Sequence, residues 1–165
     1  MNNIKSELLR AMKAYFGGDT KRISHASMVT KYAEELLKQE GGDYSVVIGA
    51  AVLHDIGIHE AERKYGRTSG KYQEIEGPPI ARKILTKLQF EANQIEEICE
   101  IIAHHHSPGK ITTINFKILN DADWLVNLGD EFDIQDSRRL SRIIEKVLLT
   151  QSGKAMAGRI YLRKD

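Results

Sequence analysis

The 165 residues contain 41% apolar and 28% charged side chains, a balance that argues against both a disordered chain and a membrane protein. The 24 basic and 23 acidic residues nearly cancel, so broad nucleic-acid binding through phosphate contacts is not expected. No apolar run approaches the ~20 residues of a membrane span, and the N-terminus does not resemble a signal peptide. The single cysteine, Cys99, cannot form an internal disulfide, so we expect a cytoplasmic protein.

Apolar residues recur at three- and four-residue spacing almost throughout the chain, which predicts an all-α helical bundle. The first helix is predicted to end at the glycines of residues 17–18, and Asp19 or Thr20 can cap the second helix. That second helix runs to the glycines of residues 41–42. The start of the chain therefore predicts two helices joined by a short turn.

The third helix is predicted from about Tyr44 to His54 and Asp55, after which the helical pattern breaks for some twenty residues. A compact domain rarely carries such a long loop unless the loop serves as a lid or a binding segment. This segment carries four cations among glycines and small hydroxyl residues: Arg63, Lys64, Arg67 and Lys71. We expect these cations to complement the charge of a bound phosphate.

Further helices are predicted near residues 77–88, 93–106, 112–129 and 136–151, and no sustained strand pattern or repeat interrupts them. Prolines at the start of the first of these helices suit its first turn. We expect one domain over residues 1–165, with C-terminal helices at about 136–162 packing on a core of about 20–130.

His54 and Asp55 follow an apolar helical run, which is an unusual place for an imidazole and a carboxylate. A divalent metal ion would bind both groups and offset the cost of burying the acid. The ordinary alternative is a helix that ends in polar residues. His25, taken alone, likewise has the ordinary reading of a core histidine bonded to a backbone carbonyl.

Other histidines and aspartates follow on later helices, at the triplet of residues 104–106 and at Asp121 and Asp123. In chain order the pattern is H…HD…HH…D, which resembles the HD-domain superfamily of metal-dependent phosphohydrolases over roughly residues 20 to 130. The resemblance implies metal ligation by His25, His54, Asp55 and Asp123. The run Ala122-Asp123-Trp124-Leu125 resembles the Ala-Asp-x-Leu pattern of the last ligand, so Asp121 either orients a ligand histidine or faces solvent.

The resemblance leaves a second metal ion open. His105 shares an apolar helical stripe with Ile98 and Ile102, whereas His104 and His106 are predicted to point to either side, where one of them meets substrate or a second ion. An exposed helix end is the ordinary alternative for the triplet. Glu76 stands in the segment that supplies an extra histidine in two-metal members of the superfamily, so Glu76, His104 and His105 are candidate ligands of a second ion bridged by Asp55.

The chemistry implied is hydrolysis of a phosphate ester or anhydride, including that of a nucleotide, by water activated on Mn, Co, Ni, Fe, Zn or Mg. Asp55 and His54 are the predicted catalytic pair, with Asp55 accepting a proton, and His59 either reaches substrate or sits in the loop mouth. Ile58 replaces a glutamate found in some nucleotidase and alarmone-hydrolase relatives, and the Gly-Tyr-Pro signature of cyclic-dinucleotide phosphodiesterases is absent.

Two alternatives come from other classes of protein. The same scaffold with a di-iron centre supports oxygenases, and a non-catalytic binding module would keep the fold without the metal. The arginines near the start of the last long helix, Arg138, Arg139 and Arg142, are read as a solvated face, with a homodimer contact or a phosphate site as the alternative.

Overall fold

The computed structural model describes residues 2–133 and 135–162, and every regular element in them is helical. The helices, in chain order, are α1 (Asn2–Phe16), α2 (Thr20–Glu40), α3 (Tyr44–Leu53), α4 (Ile58–Tyr65), α5 (Gly70–Lys87), α6 (Ala92–His104), α7 (Ile114–Glu131), α8 (Ser137–Val147) and α9 (Gln151–Ala157), followed by a π-helical turn, Gly158–Leu162. The predicted all-α fold is therefore confirmed.

Helix α3 is the centre of the bundle. Every residue from Val46 to Leu53 is buried, and α3 contacts α1, α2, α5, α6 and α7. Gly49 allows α6 to approach closely, because a Cβ atom there would lie 2.6 Å from Cδ1 of Ile98. A fully buried helix carries its C-terminal residues into the interior. His54 and Asp55 are delivered in this way.

Three predicted helix starts are confirmed by their caps. Asp19 caps α2 by accepting a hydrogen bond from the backbone of Arg22, at 3.2 Å, and Asp136 caps α8 by accepting one from the backbone of Arg139, at 3.1 Å. Thr113 caps α7 in the same way. Each side chain satisfies a backbone N–H group that the first helical turn leaves without a partner.

The long loop predicted after Asp55 is wrong. Helix α4 occupies most of it, burying Ile58 and Ala61, and only residues 66–69 separate α4 from α5. Helix α5 begins at Gly70 rather than at the predicted residue 77, so Pro78 and Pro79 lie inside it. Helix α4 has only two turns and two buried residues, and an apolar pattern of this length is too short to be recognised in sequence.

The single helix predicted over residues 136–151 is also wrong, because α8 ends at Val147 and α9 begins at Gln151. The backbone N–H groups of Leu149 and Thr150 donate to the carboxylate of Asp121, each at 2.8 Å, instead of continuing the helix. No helix within residues 2–133 and 135–162 combines the length and apolar character needed to cross a bilayer.

Candidate metal centre and cavity

Four side chains from three helices converge on one point. His25 lies in the second turn of α2, His54 and Asp55 follow α3, and Asp123 lies in the middle of α7. Nε2 of His25 lies 3.1 Å from Oδ1 of Asp123 and 3.3 Å from Nε2 of His54. Oδ2 of Asp55 lies 3.4 Å from the Nε2 atoms of both histidines. The structure thus brings together all four residues that the resemblance implies as ligands.

The donor set of this cluster fits a divalent metal ion. The Nδ1 atom of His54 lies 2.8 Å from the carbonyl oxygen of Ala51, so Nδ1 carries the proton and Nε2 presents a lone pair to the cluster. Metal–ligand bonds of about 2.0–2.2 Å place neighbouring ligand atoms about 3.0–3.5 Å apart. The atoms in the cluster have this spacing.

The charges in the cluster lead to the same conclusion. Burial alone would lower the pKa of His54, but the carboxylates of Asp55 and Asp123 hold it well above its usual range. Burial alone would raise the pKa of both aspartates, but His54 holds both well below their usual range. Two ionised carboxylates in a buried cluster need a compensating cation. Either a proton on His54 or a metal ion supplies that charge.

A second group of potential metal ligands lies near the other carboxylate oxygen of Asp55. Nε2 of His105 lies 3.5 Å from Oδ1 of Asp55, and this buried atom has no hydrogen-bond partner among the described residues. The Nδ1 atom of His105 lies 2.7 Å from the carbonyl oxygen of Ile102, which leaves Nε2 as the atom with the lone pair. Ligand atoms of Asp55, His105 and His106 all lie within 4.8 Å of one another.

His106 is held in a form that can bind a metal ion. Burial, with a contribution from His105, lowers the pKa of His106 to about 4, so its imidazole is neutral at physiological pH. The amide nitrogen of Gln73 donates to Thr68, so the Gln73 oxygen, 3.0 Å from Nε2 of His106, accepts the histidine proton. The lone pair of His106 therefore lies on Nδ1.

Two of the predicted second-site ligands lie elsewhere. The carboxylate of Glu76 accepts hydrogen bonds from Lys64, at 2.8 Å, and from Tyr65, at 3.0 Å. His104 donates from Nδ1 to the carbonyl of Glu100 at 2.9 Å. Neither Glu76 nor His104 belongs to the groups of potential ligands found in the described residues, and His106 joins His105 instead.

The two aspartates of α7 have different surroundings. Asp123 faces the cluster, whereas Asp121 is fully buried on the other side of the helix and binds the segment between α8 and α9. Residues two apart on a helix point in widely different directions. The choice of Asp123 rather than Asp121 as the cluster residue therefore agrees with the geometry.

A cavity of about 940 Å³ opens over the cluster and includes His25, Asp55 and Asp123 in its wall. Its cationic lining residues are Lys21 and Arg22, which lie four and three residues before His25 and so share its face of α2. The wall also contains residues from α7 and the π-helical turn: Leu125, Val126, Asn127, Gly129, Asp130, Glu131 and Tyr161.

The predicted substrate-binding cations lie outside this lining. Arg63 forms an ion pair with Glu60, Lys64 binds Glu76, and Arg67 and Lys71 are exposed. His59 also lies outside it, because it binds Asp19 at 2.7 Å and packs against Tyr15 and Phe16: the two ring contacts have centroid distances of 6.4 and 5.2 Å.

Sequence reasoning missed most polar side chains of the cavity wall, which are Lys21, Arg22, Ser24, Tyr32, Gln73, Asn127, Asp130, Glu131 and Tyr161. The spacing of Lys21 and Arg22 from His25 could have identified them, because residues three and four apart share a helix face. Gln73 gave no such signal, since the predicted loop hid the helix that carries it.

Comparisons with known proteins agree with this geometry. The HD domain family model matches residues 22–128. The chain is similar to a predicted HD superfamily hydrolase from an uncultured Thermotogales bacterium, with 26% identity, coverage of 95% of this chain and 84% of that chain, and a TM-score of 0.69. An HD-superfamily hydrolase from Bacillus thuringiensis shares the fold, with 19% identity, coverage of 97% and 89%, and a TM-score of 0.67. No curated protein matches the sequence. Because the matched segment spans well over half of the sequence, this chain belongs to the HD domain family.

Proposed function

We propose that this protein is a metal-dependent phosphohydrolase that cleaves a phosphate ester or anhydride of a small molecule. The observation that carries the proposal is the convergence of His25, His54, Asp55 and Asp123 on one point at the wall of a cavity. Such a donor set suits a divalent ion. The Thermotogales relative is described as a predicted hydrolase, which supports hydrolysis as the reaction class.

His25, His54, Asp55 and Asp123 would hold the first ion, and Asp55, His105 and His106 would hold a second ion bridged by Asp55. A bound ion would lower the pKa of a coordinated water towards ~7 and neutralise phosphate charge. The two oxygens of Asp55 face the two groups separately, Oδ2 towards His54 and Oδ1 towards His105. Asp55 is therefore suited to join the two groups.

The residues of the chain support a specific division of labour. The low pKa of Asp55 means that its carboxylate stays ionised at neutral pH, so it can orient the attacking water by accepting a hydrogen bond but is a weak proton acceptor. Lys21 and Arg22, one helical turn from His25, would bind phosphate oxygens, and the N-terminal end of α2 favours negative charge.

Metal content and hydrolysis test the proposal together. The purified protein is analysed for bound metals, then stripped with a chelator and reconstituted with Mn, Co, Ni, Fe or Mg before assay with phosphomonoesters and phosphodiesters. We expect His54→Ala to lose the first ion and turnover. His104→Ala serves as the matched control, because it removes a histidine outside both groups. Metal binding without hydrolysis, but with oxygen uptake by the iron form, would favour an oxygenase.

The assignment of the phosphate-binding cations has its own test. Replacing Lys21 and Arg22 with alanine should raise KM for a phosphate ester about tenfold or more, because each charged hydrogen bond contributes about 1.5–3 kcal/mol. The Arg63→Ala/Lys71→Ala variant removes the same charge outside the cavity and should leave KM unchanged. The reverse outcome would restore the α4–α5 segment as the phosphate-binding element.

A further inference from the structure

We propose that Glu131 is the general acid that protonates the leaving-group oxygen in the hydrolysis proposed above, on which this inference rests. Cleavage of a phosphomonoester with a poor leaving group requires a proton on the departing oxygen. Ile58, the cavity residue three positions after Asp55, has no proton to supply. Glu131 lies beyond the segment matched by the family model, residues 22–128, and lines the cavity of this chain.

The position of Glu131 on α7 gives it access to a bound phosphate. Asp123, Asn127 and Glu131 are spaced by four residues, share one helix face and all line the cavity. The rise between Asp123 and Glu131 is about 12 Å. Side chains on a helix lean towards its N-terminus, so the Glu131 carboxyl extends back towards Asp123. The cavity that both residues line has a volume of about 940 Å³, which is large enough for a small phosphate ester.

The net effect of the surroundings of Glu131 is to raise its pKa. Burial raises its pKa, the negative charges of Asp123 and Asp130 raise it further, and His25 lowers it by a smaller amount. Burial and Asp130 act in the same direction whether or not Asp123 holds a metal ion. The remaining charged or titratable groups that line the cavity beside these are Lys21, Arg22, Tyr32, Asp55, His106 and Tyr161.

Two other acids or bases of the cavity are less suited to this role. The hydroxyl of Tyr161 donates to the carbonyl oxygen of Leu125 at 2.5 Å, and burial raises its pKa, so its proton is held. His106 is neutral at physiological pH and donates to Gln73. Among the described residues no hydrogen bond or ion pair holds the Glu131 carboxyl, so it can turn towards a substrate bound in the cavity that it lines.

The proposed step is balanced. The oxygen of water forms a bond to phosphorus while the bond from phosphorus to the leaving oxygen breaks. The Glu131 carboxyl gives its proton to that leaving oxygen, which departs as an alcohol. The attacking water keeps one proton as part of the product phosphate and releases the other to solvent, from which Glu131 is reprotonated.

The test compares leaving groups in the metal-reconstituted enzyme. Glu131→Gln should lower kcat/KM for propyl phosphate about 100-fold or more, because general acid catalysis contributes at least that factor, and should change it only a few-fold for para-nitrophenyl phosphate, whose leaving group needs no proton. Glu131→Asp should restore part of the loss. Glu62→Gln, the same charge change on α4 outside the cavity, is the matched control and should leave both rates unchanged.

The pH profile gives a second measurement that a structural role would not affect. Turnover of propyl phosphate by the wild type should fall as pH rises through the Glu131 pKa, and Glu131→Gln should lack this alkaline limb. Asp130→Asn should move the limb to lower pH, because Asp130 raises the Glu131 pKa. An equal loss for both substrates, or loss of bound metal in Glu131→Gln, would overturn the role. No turnover by the wild type on any phosphate ester would instead overturn the proposed function.

Discussion

Asp121 and Asp123 lie two residues apart on α7, and the structure predicts opposite consequences when each is removed. The Asp121 carboxylate is fully buried and accepts hydrogen bonds from the backbone of Leu149 and Thr150, both at 2.8 Å, from the Thr150 hydroxyl at 2.7 Å and from Asn120 at 3.0 Å. It has no contact with the cluster of Asp123. Asp121→Ala should therefore destabilise the fold and leave metal binding intact.

The magnitude follows from the groups that lose their partner. The backbone N–H and the hydroxyl of Thr150 are both buried and would remain without an acceptor, and each costs about 1–3 kcal/mol. The expected loss is about 4 kcal/mol, a large part of the 5–15 kcal/mol that stabilises a typical domain. For a chain of this size each kcal/mol lowers Tm by about 2–4 °C, so Tm should fall by about 8–16 °C. Asp121→Asn keeps one acceptor oxygen and should lose less.

Urea unfolding in the presence of a chelator measures the stability change without a contribution from bound metal. Metal content of the native variants, measured separately, should be normal for Asp121→Ala and reduced for Asp123→Ala. A loss below about 1 kcal/mol for Asp121→Ala would refute the hydrogen-bond argument, given the cost of one buried donor. Loss of metal from Asp121→Ala with retention by Asp123→Ala would refute the assignment of the two aspartates.

Three further predictions concern residues outside the cluster. Burial raises the pKa of the Cys99 thiol, so a disulfide reagent at pH 8 should react much more slowly with the native protein than with urea-unfolded protein; equal rates would contradict this. The Lys64 ammonium lowers the pKa of Glu76, so their interaction stabilises the fold above the unfolded pKa of ~4.3 and is lost as pH falls through the lower folded pKa. Glu76→Gln should thus be less stable than the wild type at pH 7, with the difference shrinking in acid; a difference independent of pH would count against the pair. Gly57→Ala should cost about 1–3 kcal/mol in urea unfolding, because its Cβ would lie 2.6 Å from the backbone nitrogen of Gly77, and full stability would show that the contact relaxes easily.

Local chemistry made part of the fold predictable from sequence. The caps of α2, α7 and α8 depend on one side chain and the backbone three residues later, so Asp19, Thr113 and Asp136 each lie within one residue of a predicted helix start. The break between α8 and α9 depends on Asp121, 28 residues before the N–H group of Leu149. No local pattern encodes such a contact, and the prediction of one continuous helix failed there.

In the candidate site, the types of the ligand residues could be predicted from sequence, but the orientation of some side chains could not. The resemblance to the HD-domain superfamily implied His25, His54 and Asp123 as ligands, and these residues do converge. The orientation of Glu76 depends on Lys64 and Tyr65, which sequence spacing did not relate to it. Glu76 was therefore predicted beside the second group although its partners hold it elsewhere.

The histidine triplet explains why a helical projection could place His105 but not His106. Helix α6 ends at His104, but His105 keeps a helical backbone, with φ −69° and ψ −17°. The apolar stripe of α6 therefore still predicts the direction of the His105 side chain. The backbone of His106 instead donates to the carboxylate of Glu74 at 3.0 Å, and its ring lies 3.9 Å from that of His105. Adjacent helical residues would diverge by about 100°. The turn lets both rings approach Asp55, so the second group depends on α5 and the end of α6, whereas the first depends on α2, α3 and α7.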